Sequence, residues 1–277
     1  MSRICFWHSD KDREVRLADA VLAGAKLYGH DVEKRALCAS PSIKGYDVGC
    51  FVGVKSKRLF EAHRAAGIRT LLMDKGYTRH RDPEDPSCWE YWRISLDAHH
   101  PTETTLMRFK MDPARFDALG LEVKNWRKPA ERKPIIIAGS SGKYHEFHGL
   151  PDPTEWTGKL VRQLAKRTQR PLIYRPKSSW RAAVRISGTL WGDPSESIFD
   201  VLADAHCLIT HGSNACFESL LAGVPSLVLG DGIASPLSRT SLDDVGKPYY
   251  ASVDEVCRLA CAARARARTS SARWRTC

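Results

Sequence analysis

His211, Gly212, Ser213 and Asn214 form a polar turn between an apolar run (Leu208, Ile209) and a segment with Phe217, Leu220 and Leu221 at helical core spacing. Such a turn suits an anion. Glycine lets the backbone approach closely, and Ser213 or Asn214 caps the helix. The free N–H groups and the positive helix end then face the ligand, typically a phosphate. Glu218, four residues beyond Asn214, projects near the same end. Gly223 stops the helix, Pro225 bars its continuation, and residues 226–229 read as the next strand. A purely structural cap by Ser213 or Asn214 is the competing account.

Other chemistry-bearing residues also follow apolar runs. Residues 139–143 (GSSGK), with Ser140, Ser141 and Gly142, look like a phosphate loop but lack the G-x-x-x-x-G-K-[ST] spacing. Arg175 and Lys177 follow the run 171–174 and supply cations. In the first half, His8, Ser9 and Asp10 follow one apolar run, and Asp74, Lys75 and Tyr77 follow another. A carboxylate or imidazole at such a strand end suits proton transfer. A cap role for Asp74 and a packed loop imidazole for His8 compete with that reading.

Residues 77–110 interleave aromatic and basic side chains, among them Tyr77, Arg79, Arg93, His99 and His100. That mixture suits a nucleic acid, cations for phosphates and aromatics around an extruded base. An insertion with Trp89 and Trp92 as core is the alternative. Asp97, His99 and His100 lack a spaced metal-ligand pattern, and no metal is expected. His145 and His148 fall in a stretch that reads as irregular loop.

The elements that position these residues alternate between strand and helix. Strands are expected over 4–7, 33–37, 47–54, 70–73, 134–138 and 171–174, with helices over 12–28, 57–66, 155–167 and 195–205. Such alternation predicts doubly wound α/β domains with right-handed crossovers. The polar, proline-containing stretch 124–134 breaks the pattern. The expected divisions are a first domain over 1–125, a linker over 126–133, a second domain over 134–257 and a disordered basic tail over 258–277.

The chain has 277 residues, 43% hydrophobic, which suits two domains with real cores. No run approaches the roughly 18 apolar residues of a membrane span. The opening MSRICFWHSDKDR is too charged for a signal peptide. Nine cysteines without a CxxC pair read as reduced thiols in a cytoplasmic protein. The net charge is +11, and six unopposed arginines in residues 258–277 supply over half of it. A mildly basic body suits a polyanionic partner.

Residues 210–225 (THGSNACFESLLAGVP) and 174–177 (YRPK) resemble GT-B glycosyltransferases of the capsular-polysaccharide type, with Lys177 where histidine is usual. The resemblance covers residues 134–250 closely and 1–110 by architecture. Residues 74–79 (DKGYTR) and 91–102 (YWRISLDAHHPT) are similar to phage-encoded proteins that accompany DNA-base modification. The resemblance implies a GT-B-like α/β fold, two doubly wound Rossmann-like domains facing a central cleft. It implies a nucleotide-sugar donor, a UDP-sugar, and no other cofactor.

Donor contacts are then expected from Ser140, Ser141, Gly142, Arg175, Lys177, His211, Gly212, Ser213 and Asn214, with Glu218 accepting from the ribose hydroxyls. Asp74, His8 and Asp10 are the candidates for the base. Lys75, Tyr77, Arg79, Arg93, His99 and His100 would face the acceptor, preferentially a 5-hydroxymethylpyrimidine in double-stranded DNA. Alternatives are a polysaccharide or lipid-linked-sugar transferase, a nucleotide-sugar 2-epimerase and a non-catalytic DNA binder. GT-B enzymes end on a helix that returns to the first domain, which the Arg/Ala tail does not suggest.

Overall fold

The computed structural model describes all residues except 39–40, 55, 78–90, 101–115, 118–119, 128–131, 263–264 and 267–277. The chain forms two compact units, residues 1–106 with 263–277, and residues 107–262. Among the described residues, no helix is long and apolar enough to cross a membrane.

The first unit holds β1 (Arg3–His8), α1 (Asp12–Leu27), β2 (Asp31–Ala36), β3 (Val48–Val52), α2 (Lys57–Ala65), β4 (Arg69–Lys75) and β5 (Tyr91–Leu96). Strands β1 to β4 are parallel, in the spatial order β2-β1-β3-β4. The winding reverses between β1 and β3, a topological switch point. Phe6, Cys50 and Met73 from the sheet pack on Leu17, Ala18 and Leu22 of α1, the apolar face that the period of this helix anticipates.

Strand β5 is antiparallel to β4 and falls inside residues 77–110, where no strand is expected from sequence. The tail expected to be disordered over 258–277 is described only in residues 258–262 and 265–266, which form regular structure, and the rest lies outside the described residues. Helix α7 (Val253–Ala262) runs through its first residues, and β11 (Ala265–Arg266) then adds to β5. Backbone pairing along the exposed edge of β5 supplies the order that composition hides.

The second unit holds β6 (Ile135–Ala138), α3 (Gly142–His148), α4 (Pro153–Leu164), β7 (Leu172–Arg175), β8 (Leu190–Trp191), α5 (Ile198–Leu202), β9 (Cys207–Thr210), α6 (Ala215–Leu221), β10 (Ser226–Val228) and α7. Its five strands are parallel, in the order β10-β9-β6-β7-β8, so the winding reverses between β6 and β9. Ile135, Ile136 and Ile137 are fully buried, as a central parallel strand covered on both faces requires.

Residues 124–127, expected to close the first domain and open the linker, belong to this unit. Lys124 N–H donates to the Leu221 carbonyl and Arg127 N–H to that of Gly223, each within 3.0 Å. The Trp126 indole N–H donates to the Ala251 carbonyl. Gly223 sits at φ +67, and a Cβ there would strike the Asn125 backbone. The helix stop is also the seat of this strap.

Candidate functional site

In the second unit, the two turns singled out from sequence follow β6 and β9, adjacent strands at the switch point, where open α/β sheets bind ligands. The buried Thr210 joins them. Its hydroxyl donates to the Ala138 carbonyl at 3.0 Å and accepts from Ser213 N–H at 3.1 Å.

The GSSGK stretch is not a plain loop. Ser140 is buried, and Ser141 caps α3 by accepting from Tyr144 N–H. Gly142 opens that helix, so His145 and His148 are helical, contrary to the expected loop. His145 bonds the Pro151 carbonyl through Nδ1 at 2.7 Å and packs edge-on against Trp156.

Helices α3 and α4 place aromatic rings around His211. The Tyr144 hydroxyl lies 3.1 Å from His211 Nδ1. The rings of Tyr144, His148 and Trp156 have centroids 5.8, 5.8 and 5.9 Å from that of His211. Behind the imidazole, Gly230 leaves no room for a Cβ, and a Cβ on Gly212 would overlap the Tyr144 hydroxyl and the Asp231 carbonyl. The His211 pKa is lowered, first by burial and then by His145, against the opposing pull of Asp231. The imidazole is therefore neutral near neutral pH. Sequence inspection misses Tyr144, His148, Trp156, Gly230 and Asp231, because only the fold brings them to His211.

Helix α6 starts at Ala215 with Asn214 as its cap residue. The Asn214 side chain makes no capping bond; the Ser213 hydroxyl accepts from Ala215 N–H at 3.3 Å instead. Glu218 is 8% exposed, not a solvated helix glutamate. Arg175 Nη2 donates to the carbonyls of Pro194 and Glu196, which ties its guanidinium to the loop after β8. Lys177 is exposed, two residues past β7.

The first unit carries a separate cluster. Asp74 and Arg93 face each other across the β4–β5 ladder. A left-handed turn at Asp97, φ 56, folds the chain back so that His99 and His100 reach Arg93. Arg93 is 2% exposed. Its Nη2 donates to Asp74 Oδ2 at 3.1 Å and lies 2.8 Å from His99 Nε2; its Nη1 donates to the Tyr77 hydroxyl at 3.1 Å and lies 2.9 Å from His100 Nδ1. Tyr77, His99 and His100 are buried with it.

These side chains, expected on an acceptor surface, instead hold one another; Arg79 lies outside the described residues. Lys75 is exposed, and its N–H donates to Asp74 Oδ1. The Asp97 carboxylate is taken by Arg69 and Thr70.

Burial opposes the Asp74 charge, but the neighbouring His99 and the Arg93 guanidinium outweigh it and hold the carboxyl well below the usual range. Such a carboxylate is a weak proton acceptor. His8, at the end of β1, is half-buried. Its Nδ1 lies 3.0 Å from the Ser9 carbonyl. A carbonyl only accepts, so this bond keeps the proton on Nδ1 and leaves Nε2 as the basic atom. Buried Glu14 fixes the loop by accepting from the Ser9 N–H and hydroxyl. Asp10 is exposed beside it.

No family model and no curated protein matches the sequence. Solved structures do match. The beta Kdo 2,4 transferase of Thermosulfurimonas dismutans KpsC is similar over 95% of this chain and 90% of that chain, at 10% identity and a TM-score of 0.57. The beta Kdo 2,7 transferase of the same protein covers the same shares at 13% identity and a TM-score of 0.59. The likeness is one of fold, and the fold is mixed α/β with two Rossmann-like units of the GT-B type.

Proposed function

We propose that the chain is a GT-B glycosyltransferase that moves a sugar from a nucleotide-sugar donor to a hydroxyl acceptor. The observation that carries this reading is the meeting of α3 and the 211–214 turn at the β6/β9 switch point, with Tyr144 hydrogen-bonded to His211. Nucleotides bind at such points. His211, the N–H groups of Gly212 and Asn214 and exposed Lys177 would stabilise the charge that develops on the leaving phosphate. Glu218 would accept from the ribose. No metal or further cofactor has a part in this scheme, and a UDP-sugar is the proposed donor. In the first unit His8 is the preferred base, because Asp74 is committed to Arg93.

The proposed acceptor is a saccharide hydroxyl. Both KpsC neighbours are Kdo transferases. Arg93, Tyr77, His99 and His100, the side chains suited to DNA, are buried in their own network. A hydroxymethylpyrimidine in DNA is the second reading, favoured by the net charge of +11.

The test is thermal unfolding with uridine, cytidine and thymidine nucleotides in turn, followed by mass analysis of saccharide and hydroxymethylcytosine-DNA acceptors. A ligand at 100 times its Kd stabilises by about 2.7 kcal/mol, and His211→Gln should abolish the shift. If no nucleotide stabilises the parent protein, the donor site is wrong. Mass gain on DNA alone reverses the order of the two acceptors.

A further inference from the structure

We propose that Tyr144 is a positioning residue that fixes the tautomer of His211, holding the imidazole proton on Nε2. The inference rests on the donor-site reading for its purpose but not for its geometry.

The two polar atoms lie 3.1 Å apart. A phenol O–H is a stronger donor than a neutral imidazole N–H, and the imidazole nitrogen is a stronger acceptor than a phenol oxygen. The favoured pairing therefore has Tyr144 donating to Nδ1, which leaves the ring proton on Nε2. Rotation of the ring is restrained by its neighbours. Gly230 lies against it where a Cβ would not fit, and Gly212 admits the tyrosine hydroxyl to the backbone. The rings of Tyr144, His148 and Trp156 surround it. His145 and Asp231 are the charged or titratable groups that act on the ring electrostatically, in opposite directions; His148 packs on it.

The consequence for the donor is specific. A neutral imidazole with hydrogen on Nε2 is a hydrogen-bond donor to a phosphate oxygen. The other tautomer would turn a lone pair towards that oxygen and repel it. As the bond from sugar to phosphate breaks, its electron pair goes to the phosphate oxygen, and the hydrogen bond from Nε2 strengthens without proton transfer. The acceptor proton leaves to a separate base.

Long-range proton–nitrogen spectra of the protein labelled with nitrogen-15 in its histidines test this directly, with the His211 signals identified by their loss in His211→Gln. Between pH 7 and 8 the parent should show Nε2 protonated and Nδ1 bare. Tyr144→Phe should give a mixture of tautomers. It should also weaken the nucleotide that stabilises the parent by about tenfold, one lost hydrogen bond, with an altered pH dependence. A proton on Nδ1 in the parent overturns the proposal even if Tyr144→Phe does not fold. Unchanged His211 signals in a folded Tyr144→Phe overturn it as well. If the tautomer is as proposed but no nucleotide binds, the donor reading fails while the Tyr144 assignment stands.

Discussion

Asp74 and Arg93 are register partners on antiparallel strands, and the guanidinium of Arg93, 2% exposed, donates to Asp74 Oδ2 at 3.1 Å. Removing one member of a buried pair strands the other and its hydrogen-bond partners. Arg93→Met should cost about 3 kcal/mol in urea unfolding, with Tyr77, His99 and His100 losing their shared donor. Asp74→Asn should cost less, about 1 kcal/mol, because the asparagine Oδ1 can still accept from Arg93 and the side chain at this position is 36% exposed.

The same pair sets an acid limb. The folded carboxyl of Asp74 titrates below its ordinary 3.8, so its contribution is full above that value and is lost progressively as pH falls from there towards the lower folded value. Unfolding free energy measured from pH 5 down to pH 2 should fall less steeply in Asp74→Asn than in the parent. Equal slopes would mean that the ion pair does not form.

Gly230→Ala tests the cradle behind His211. A Cβ there would overlap the imidazole, and overpacking of this kind costs about 1–3 kcal/mol. Nucleotide-induced stabilisation should be lost while far-ultraviolet circular dichroism is retained. Gly246→Ala is the control, since nothing lies within 4 Å of a Cβ at that position. Equal nucleotide shifts in the two variants would remove His211 from the site.

The thiols give a prediction independent of function. Cys5, Cys50, Cys207 and Cys216 are buried, and each thiol is pushed up to about 12, chiefly by burial. The thiolate is the reactive form. With an aromatic disulfide reagent at pH 8, these four should react only on unfolding, whereas exposed Cys38 should react at once. Cys38→Ser should remove a fast phase. Rapid reaction of all nine cysteines would contradict the packing of both sheets.

The parallel strands and long amphipathic helices are legible in the sequence because their signal is local. β6 is an unbroken apolar run, and α1 repeats its apolar residues at helical spacing. The elements that escape are those whose reason lies elsewhere in the fold. β5 (YWRISL) places Arg93 where a buried apolar residue is expected, and only Asp74, Tyr77 and the histidine pair explain a charge there. α3 is seven residues long, too short for a period to declare itself. The 211–214 turn is visible as a ligand site, but its tyrosine, its aromatic walls and its glycine floor come from α3, α4 and the 229–232 loop. The direction of each histidine proton is set by such partners and has no trace in spacing.

The strap at residues 124–127 has a kinetic consequence. Trp126 bonds the Ala251 carbonyl, 125 residues away in sequence, and Lys124 bonds the end of α6. Contacts between the first and last parts of a unit carry a large loop-closure entropy and raise its contact order. During synthesis, the beginning of this unit emerges long before its partners exist. The strap can lock only after residue 251 has left the ribosome, so completion of this unit is a late folding event, and a nascent chain stalled before that point should still exchange the Trp126 indole proton with solvent.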